Sequence, residues 1–442
     1  MYAKRDKKGI LFSIMRMRET SETILLRFEK FFKTDMRYLL HGGSWLTVGQ
    51  IVATGTSLIL SVVFARFLPK ETYGTYQYVL SIFGILSLAT LSGINTYLQQ
   101  AVARGMEGST LIAFYTKVKW GTLASIGSAG VGLYYLYFGN TPLALSFLVA
   151  APFLPFMDAL SVSNTYLQGK KLFGPSIRYY SISQIGWVAM IIAAVIFTKN
   201  LPVIVFAYCG GATLMRYIIF RRTFEKYPPN KEKDLNVVSY GKHLSIVSFA
   251  TTISQYLDTM LVFHYLGPVQ TAIYALATAP ADQIRGLAKN IGPLAVPKLA
   301  QRSFKEIHAM LYTRVFQLAL LGGAMAFIYI LLAPLFFKIL YPNYMEAVFY
   351  SQLFALNIIF RVSGNFFNAA MQSKMHHFPK SWLYFGMVPQ IIFILGVFLL
   401  IQKYGIVGIF VASFLSASTA SVISFIQWKR LLYRYKENLD VL

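Results

Sequence analysis

Twelve apolar runs of membrane-spanning length recur along the chain, near residues 44–67, 73–98, 118–138, 142–166, 176–198, 201–220, 244–266, 270–295, 311–337, 346–371, 381–402 and 405–427. A helix that crosses the hydrocarbon core needs about 20 mostly apolar residues, and no water is present there to satisfy a backbone that is not helical. A chain patterned in this way is expected to be an all-α polytopic membrane protein. Of its 442 residues 56% are hydrophobic and 13% charged, a balance outside that of ordinary soluble enzymes. The run at 270–295 is the weakest, because it carries Asp282, Arg285 and Lys289.

The 41 Lys+Arg exceed the 17 Asp+Glu by enough to give a formal charge of +24, which in a soluble protein would point to nucleic acid. Here the basic residues alternate with the spans. Ten precede the first span, and the even-numbered connections carry three, three, seven, six and two, with four more after the last span. These thirty-five fall on one side; Arg66, Lys70, Lys199, Lys338 and Lys403 fall on the other, and Arg361 lies within a span. Such an asymmetry is the positive-inside signature, so both termini are expected to be cytoplasmic and no nucleic-acid partner is needed to explain the charge.

The opposite-side loops are short, such as Phe138 to Pro142 and Thr198 to Leu201, and leave no room for an external catalytic domain. No G-x-x-x-x-G-K-[ST] phosphate loop occurs, so the chain is not expected to hydrolyse a nucleotide itself. Cys209 is the single cysteine and lies in an apolar stretch, which excludes an internal disulfide and a cysteine metal site. Residues 1–40 lack the apolar core of a removable signal. Within them Ile24, Leu25, Phe28, Phe31 and Phe32 recur at helical spacing between basic residues, which suits either a helix lying on an anionic leaflet or a solvated arm.

The halves repeat. A shift of 204 aligns Asn164, Gln168, Lys170 and Pro175 with Asn368, Gln372, Lys374 and Pro379, and Lys199, Val203 and Phe206 with Lys403, Val407 and Phe410. A shift of 198 aligns Leu68 and Tyr76 with Leu266 and Tyr274. Six helices is an even number, so the two blocks enter from the same side and form parallel lobes around a central cavity, the plan of an alternating-access transporter. The expected division is a basic amphipathic arm at 1–43, a six-helix lobe at 44–222, a cytoplasmic linker at 223–242, a second six-helix lobe at 243–430 and a tail at 431–442.

Ionisable residues inside spans are costly and mark cavities or partners. They are Asp158, Asp258, Asp282, Arg285, Lys289 and Arg361. Asp282, Arg285 and Lys289 follow i, i+3, i+7 spacing and share one helix face, with Thr278 extending the stripe. Arg285, Lys289 and Arg361 are the candidate substrate-binding cations of the cavity, although Asp282 and Arg285 could instead form an internal ion pair. Asp158 and Arg361 sit at nearly equivalent depths in the two repeats and could pair across the lobes or both line the cavity. Asp258, one turn from Gln255, is the first candidate for coupling to a proton or sodium, and Asp282 and Asp158 are further cavity carboxylates. The six histidines have no metal-ligand spacing, and no catalytic residue or other cofactor is expected.

Three stretches then resemble the polysaccharide transport family, the Wzx-type oligosaccharide flippases of the multidrug/oligosaccharidyl-lipid/polysaccharide exporter superfamily. Phe64-Ala-Arg-Phe-Leu-Pro-Lys-Glu-Thr-Tyr-Gly-Thr-Tyr, ending at Tyr76, is similar to the family's first-loop signature. Tyr256-Leu-Asp-Thr-Met-Leu-Val-Phe-His-Tyr-Leu-Gly, followed by Ile273-Tyr274, resembles its start of the second half, where an Asp such as Asp258 is typical. Tyr166-Leu-Gln-Gly-Lys-Lys resembles the loop after the fourth helix. The resemblance covers roughly 40 to 430 and implies movement of undecaprenyl-diphosphate-linked oligosaccharide from the cytoplasmic to the outer leaflet of the bacterial inner membrane. O-antigen, capsule or exopolysaccharide assembly would follow, with membrane lipids and polysaccharide polymerase and chain-length proteins as partners. Rival readings are a cation-coupled multidrug exporter of the same superfamily and a membrane glycosyltransferase or polymerase; the latter would need an external catalytic loop, and no D-x-D sequence is present.

Overall fold

The computed structural model describes residues 36–288, 302–373 and 385–439, together with Val296 and Leu299. Every regular element among them is helical. Seven helices are long and apolar enough to cross a membrane, or nine when each of two bent pairs is one span. Two of the seven, Ser248–Gln283 and Phe385–Tyr433, contain a glycine at positive φ: Gly267 at 82° and Gly405 at 56°. A side chain is disfavoured in that region, and the chain reverses there. Across Gly405, a Cβ on Gly396 would lie 2.9 Å from Ala412 and one on Gly408 2.5 Å from the Leu400 carbonyl, which is an antiparallel hairpin centred near 404. Across Gly267, Tyr274 meets Asp258. Each of these helices is therefore two spans. With Ser109–Tyr137, whose 29 residues reach about 44 Å at ~1.5 Å per residue, the twelve expected spans are accounted for.

The second span is bent by 49° between Lys70–Thr90 and Gly93–Ala103, and the fourth by 46° between Thr141–Ala150 and Leu154–Gly169. The first bend runs through Leu91 in the left-handed region, and the second precedes Pro155, whose missing N–H suits a helix start. The bends lie side by side, since Thr90 just before one hydrogen-bonds Asp158 just after the other. Broken helices at membrane depth are tolerated where polar groups re-satisfy the freed backbone.

The apolar core explains the arrangement of the lobes. One cluster joins both near the short-loop face, running from Phe64, Tyr73 and Tyr76 to Phe337, Tyr341 and Tyr344. Toward the basic-loop face it divides. Ile94, Leu98, Val102 and Tyr166 form one cluster, and Phe304, Ile307, Leu311 and Trp428 form a separate one. The short-loop face is also closed by polar contacts. Arg66 donates to the carbonyls of Ile339 and Leu340, Lys70 pairs with Glu346, and Ser61 and Tyr341 hydroxyls lie 2.8 Å apart. The lobes thus converge at that face and part toward the basic one.

One seam runs the whole depth. The second span packs along the seventh, 237–266, and the start of the eighth, 268–288, with Tyr78 stacked on Phe263 at 4.0 Å and Tyr97 on Tyr240 at 5.1 Å. Glycines permit the approach: Gly84 faces the Tyr256 ring, and the Gly93 amide donates to Ser245 Oγ at 3.0 Å. A Cβ on Gly74 would sit 1.7 Å from the Pro268 carbonyl oxygen, a contact with backbone that no rotamer relieves. Gly74→Ala is expected to lose about 1–3 kcal/mol of stability through forced separation of the lobes, read as a lower unfolding temperature in detergent; an unchanged temperature would mean the seam is looser than described.

At the basic face the loop after the second span is tied to the segment between the lobes. Glu107 accepts from Lys170 at 2.9 Å, Tyr166 Oη at 3.0 Å and the Asn230 amide at 3.2 Å, while the Gly108 amide donates to the Glu232 carbonyl at 2.8 Å. Beside it Asp234, 9% exposed, accepts from Arg104 at 2.6 Å and Tyr97 Oη at 3.0 Å. Partial burial opposes ionisation of Glu107, but the hydrogen bonds from Lys170, Tyr166 and Asn230 outweigh it and hold the carboxyl below its usual range. A carboxyl depressed on folding stabilises above its unfolded pKa and loses that contribution as pH falls through the lower folded value. Glu107→Gln is expected to cost about 1 kcal/mol at neutral pH and to flatten the loss of stability below about pH 4.5, checked by thermal unfolding between pH 3 and 7.

Candidate functional site

Two polar clusters interrupt the apolar interior, one in each lobe. In the second lobe the hairpin at Gly267 places Asp258 opposite Tyr274. Tyr274 Oη donates to Asp258 Oδ2 at 2.6 Å, and the Thr259 amide and hydroxyl donate to Oδ1 at 2.6 and 3.3 Å. Tyr274 is 4% exposed, so its hydroxyl has been taken out of water for this bond. Asp282, two turns further along the eighth span, is exposed and lies within electrostatic reach of both Asp258 and Tyr274. Arg361, half-buried in the tenth span within Asn357–Ser373, reaches Tyr274 in the same way. The structure therefore sets Asp258, Asp282 and Arg361 around Tyr274, the two carboxylates from one hairpin and the guanidinium from the tenth span. Thr278, expected on the same stripe as Asp282, turns its hydroxyl back to the Tyr274 carbonyl at 3.1 Å. Next to Asp282, Gln283 donates to Ser57 of the opposite lobe at 3.1 Å.

The side chain of Arg285 lies outside the described residues, although its backbone continues the helix, and Lys289 lies outside them altogether. The expected ion pair between Asp282 and Arg285 falls there too, as does most of the basic arm at 1–43.

In the first lobe Asp158 has a different partner from the one the repeat suggested. Its Oδ2 lies 2.7 Å from Lys117 Nζ and accepts from Thr90 Oγ1 at 2.6 Å. Lys117 is fully buried and donates also to Asn95 Oδ1 at 3.2 Å; Asn95 in turn donates to Ser161 Oγ at 3.3 Å. The pairing of Asp158 with Arg361 across the lobes is replaced in this conformation by an ion pair inside one lobe. Lys117, one of the three basic residues between the apolar runs of the second and third spans, stands well inside Ser109–Tyr137. Arg216, one of the seven basic residues grouped around the central connection, lies within Leu201–Lys226, donates to the Met157 carbonyl, and faces a small chamber with Ser161, Ser163, Ser183, Gln184 and Trp187.

Lys117 and Arg216 are the residues that the sequence reading missed. The signal was present: both are flanked on either side by residues that a helix of spanning length must include. A lone charge at the edge of an apolar run is assigned by default to the loop, because only its distance from the helix end separates the two placements.

Each lobe thus carries a carboxylate with hydroxyl donors and a cation. In a low-dielectric surrounding such a carboxylate can take up a proton or a small cation, and a cation that is not fully buried, such as Arg361, attracts an anionic group that comes within reach.

Residues 39–302 match the sequence profile of a family described as polysaccharide biosynthesis protein. No match was found among curated proteins. Among solved structures the chain is similar to the lipid II flippase MurJ in an inward closed conformation, with a TM-score of 0.60 at 14% identity, covering 88% of this chain and 87% of that one. A multidrug resistance MATE family transporter of the MOP superfamily, outward-facing, matches with a TM-score of 0.56 at 11% identity, over 89% of this chain and 96% of the other. A MOP superfamily transporter from Pyrococcus furiosus, whose description notes a reversed polarity of the binding pocket, matches at 0.59 and 12% over 88% and 95%. These likenesses establish a shared two-lobed fold.

Proposed function

The chain belongs to the polysaccharide biosynthesis protein family on a MOP-superfamily fold, and from that premise we propose that it is a flippase for a lipid-linked oligosaccharide. The head group, attached through a diphosphate to undecaprenol, enters between the lobes from the basic face and leaves at the short-loop face. We place the basic face in the cytoplasm and the protein in a bacterial inner membrane. A sugar head group loses the water on its hydroxyls in hydrocarbon without replacement, and a diphosphate loses more, so transfer needs a polar cleft. Arg361, with Arg285 and Lys289, is assigned to the phosphates and any acidic sugars. Asp258, held by Tyr274, is the assigned coupling site for a proton or sodium, with Asp282 and Asp158 as supporting carboxylates.

The observation that supports this reading most is the family match across 39–302 on a fold shared with a lipid II flippase. No bond is made or broken, so the activity is transport rather than enzymatic. The product would pass to a polysaccharide polymerase and its chain-length partner for O-antigen, capsule or exopolysaccharide assembly. Asp258 and Asp282 near one another favour a second reading, a cation-coupled multidrug exporter, because two carboxylates suit a cationic drug. The readings separate in cells lacking their own flippase for a defined surface polysaccharide. Expression of this chain restores the polysaccharide under the first; under the second it leaves the polysaccharide absent and raises resistance to cationic dyes.

A further inference from the structure

The small chamber beside Arg216 lies inside the first lobe, walled by the fourth, fifth and sixth spans. Tyr180, Ser183, Gln184 and Trp187 stand at i, i+3, i+4 and i+7 and present one face of the fifth span to it. Gln184 also donates to Thr56 Oγ1 at 3.4 Å, and the adjacent Ser57 accepts from Gln283 of the second lobe at 3.1 Å. A single span therefore separates the chamber from a contact between the lobes. At ~10–15 Å³ for each water-sized group, its volume of about 50 Å³ takes roughly three to five heavy atoms, the size of one carboxylate or phosphate group and less than a sugar ring.

The charges around this chamber do not balance. Asp158 is the partner of Lys117 at 2.7 Å. Half-buried Arg216 lies within electrostatic reach of the same carboxylate, but no ion pair joins the two among the described residues. No carboxylate lines the chamber itself. Two cations thus share one carboxylate, which leaves an excess of one positive charge. Arginine keeps its proton inside a protein, so the excess is not relieved by deprotonation as a lysine's is. Arg216 stands ten residues, or about 15 Å, before the end of the sixth span at Lys226, a depth where an unneutralised charge is costly.

The chamber also offers hydrogen-bond donors. The guanidinium places one nitrogen on the Met157 carbonyl, at the bend of the fourth span, and its other N–H groups make no protein hydrogen bond among the described residues. Ser183 is 8% exposed, and its hydroxyl likewise meets no protein partner among them. The hydroxyls of Ser161 and Ser163 are engaged by the carbonyls of Asp158 at 2.6 Å and Leu160 at 3.0 Å. A forked cation and a buried hydroxyl around one small volume, with no carboxylate in its lining, form the donor set for an oxyanion.

We propose that this chamber is an oxyanion site, in which Arg216 grips one phosphate or carboxylate group through its unused N–H groups and Ser183 donates a further hydrogen bond. The site does not depend on what the central cleft transports. The diphosphate of a transported lipid and a free anion present the same chemistry, and the test separates them. Purified full-length protein in neutral detergent is titrated separately with sodium phosphate, farnesyl diphosphate and sodium chloride at matched ionic strength. The emission of Trp187, taken as the difference between the parent and Trp187→Phe, reports on the chamber. Both oxyanions are expected to shift it saturably, and chloride to leave it unchanged. Arg216→Gln is expected to weaken oxyanion binding roughly tenfold or more, Arg216→Lys to fall between Gln and the parent, and Ser183→Ala to weaken it about threefold. Ser183→Ala removes no protein hydrogen bond among those described, so its unfolding temperature without anion is expected to match the parent's, which separates loss of a ligand contact from loss of fold. Half-saturation by farnesyl diphosphate at about one-tenth the phosphate concentration assigns the group to a transported lipid, and equal half-saturation assigns it to a free anion; both support the site. The same shift with chloride, no saturable shift with either oxyanion, or parental affinity in both Arg216→Gln and Ser183→Ala would each overturn the proposal.

Discussion

Asp158→Ala is expected to destabilise the protein by about 3–5 kcal/mol, the largest effect of any single substitution considered. The reason lies in its partner. Lys117 is fully buried and its ammonium is met by Asp158 at 2.7 Å and Asn95 at 3.2 Å. Removing the carboxylate leaves an ammonium on a fully buried side chain with Asn95 as its remaining partner among the described residues, although the Asp158 side chain itself is 31% exposed. The ion pair itself need not be stabilising relative to apolar residues, since desolvation of both charges opposes their attraction. Lys117→Met combined with Asp158→Ala is therefore expected to recover most of the loss. Thermal unfolding of the four proteins in one detergent supplies the coupling. A single Asp158→Ala that unfolds like the parent, or a double variant no better than the single, would contradict the buried pair.

Arg361→Ala is expected to lower transport about 10- to 100-fold at normal protein level, the loss that follows from removing charge-assisted hydrogen bonds worth about 1.5–3 kcal/mol. Arg361 is half-buried within electrostatic reach of Tyr274, where the surroundings strengthen its attraction for an anion. Arg361→Lys keeps the charge but not the planar fork that grips a phosphate in two places, so it is expected to fall between the parent and the Ala variant. Transport measured as the rate of surface polysaccharide appearance, with membrane protein quantified in parallel, decides the matter. Equal rates for Arg361→Ala and parent would remove Arg361 from the substrate path.

The spans were legible because hydrocarbon is an unforgiving solvent: the apolar runs correspond to helical segments among the described residues, although some helices begin up to nine residues earlier, as Ser109–Tyr137 does against the run at 118–138. What composition does not encode is how a span bends. Leu91 with Ser92-Gly93, and Pro152 with Pro155, mark the breaks of the second and fourth spans, but such residues give neither the angle nor the direction of a bend. The bends in turn set the partner of Asp158. Equal depth in two repeats suggested Arg361, but depth is one coordinate, and the two bends supplied the others by turning Asp158 toward Lys117 within its own lobe. Asp258 and Tyr274 lie close for the opposite reason: a glycine-turned hairpin makes contacts nearly local in sequence, so sixteen residues of separation collapse to a hydrogen bond.

The loop at 104–109 shows a further limit. Mixed charges and Pro228-Pro229 mark 223–242 as a connector, yet Asn230, Glu232 and Asp234 are docked on that loop by paired hydrogen bonds. Charge composition reports that a segment meets water somewhere, and does not say which of its side chains turns inward.

The central claim is that the cleft between the lobes carries a lipid-linked saccharide across the bilayer. Its most direct test is reconstitution of the purified chain into liposomes holding a fluorescent undecaprenyl-diphosphate oligosaccharide, with a membrane-impermeant glycosidase added outside. Rapid digestion of nearly all of the labelled lipid, against about half in protein-free liposomes, with slowing in Arg361→Ala, is the predicted result. Digestion that stops at half in liposomes shown to contain folded protein and tested under imposed proton and sodium gradients would contradict it.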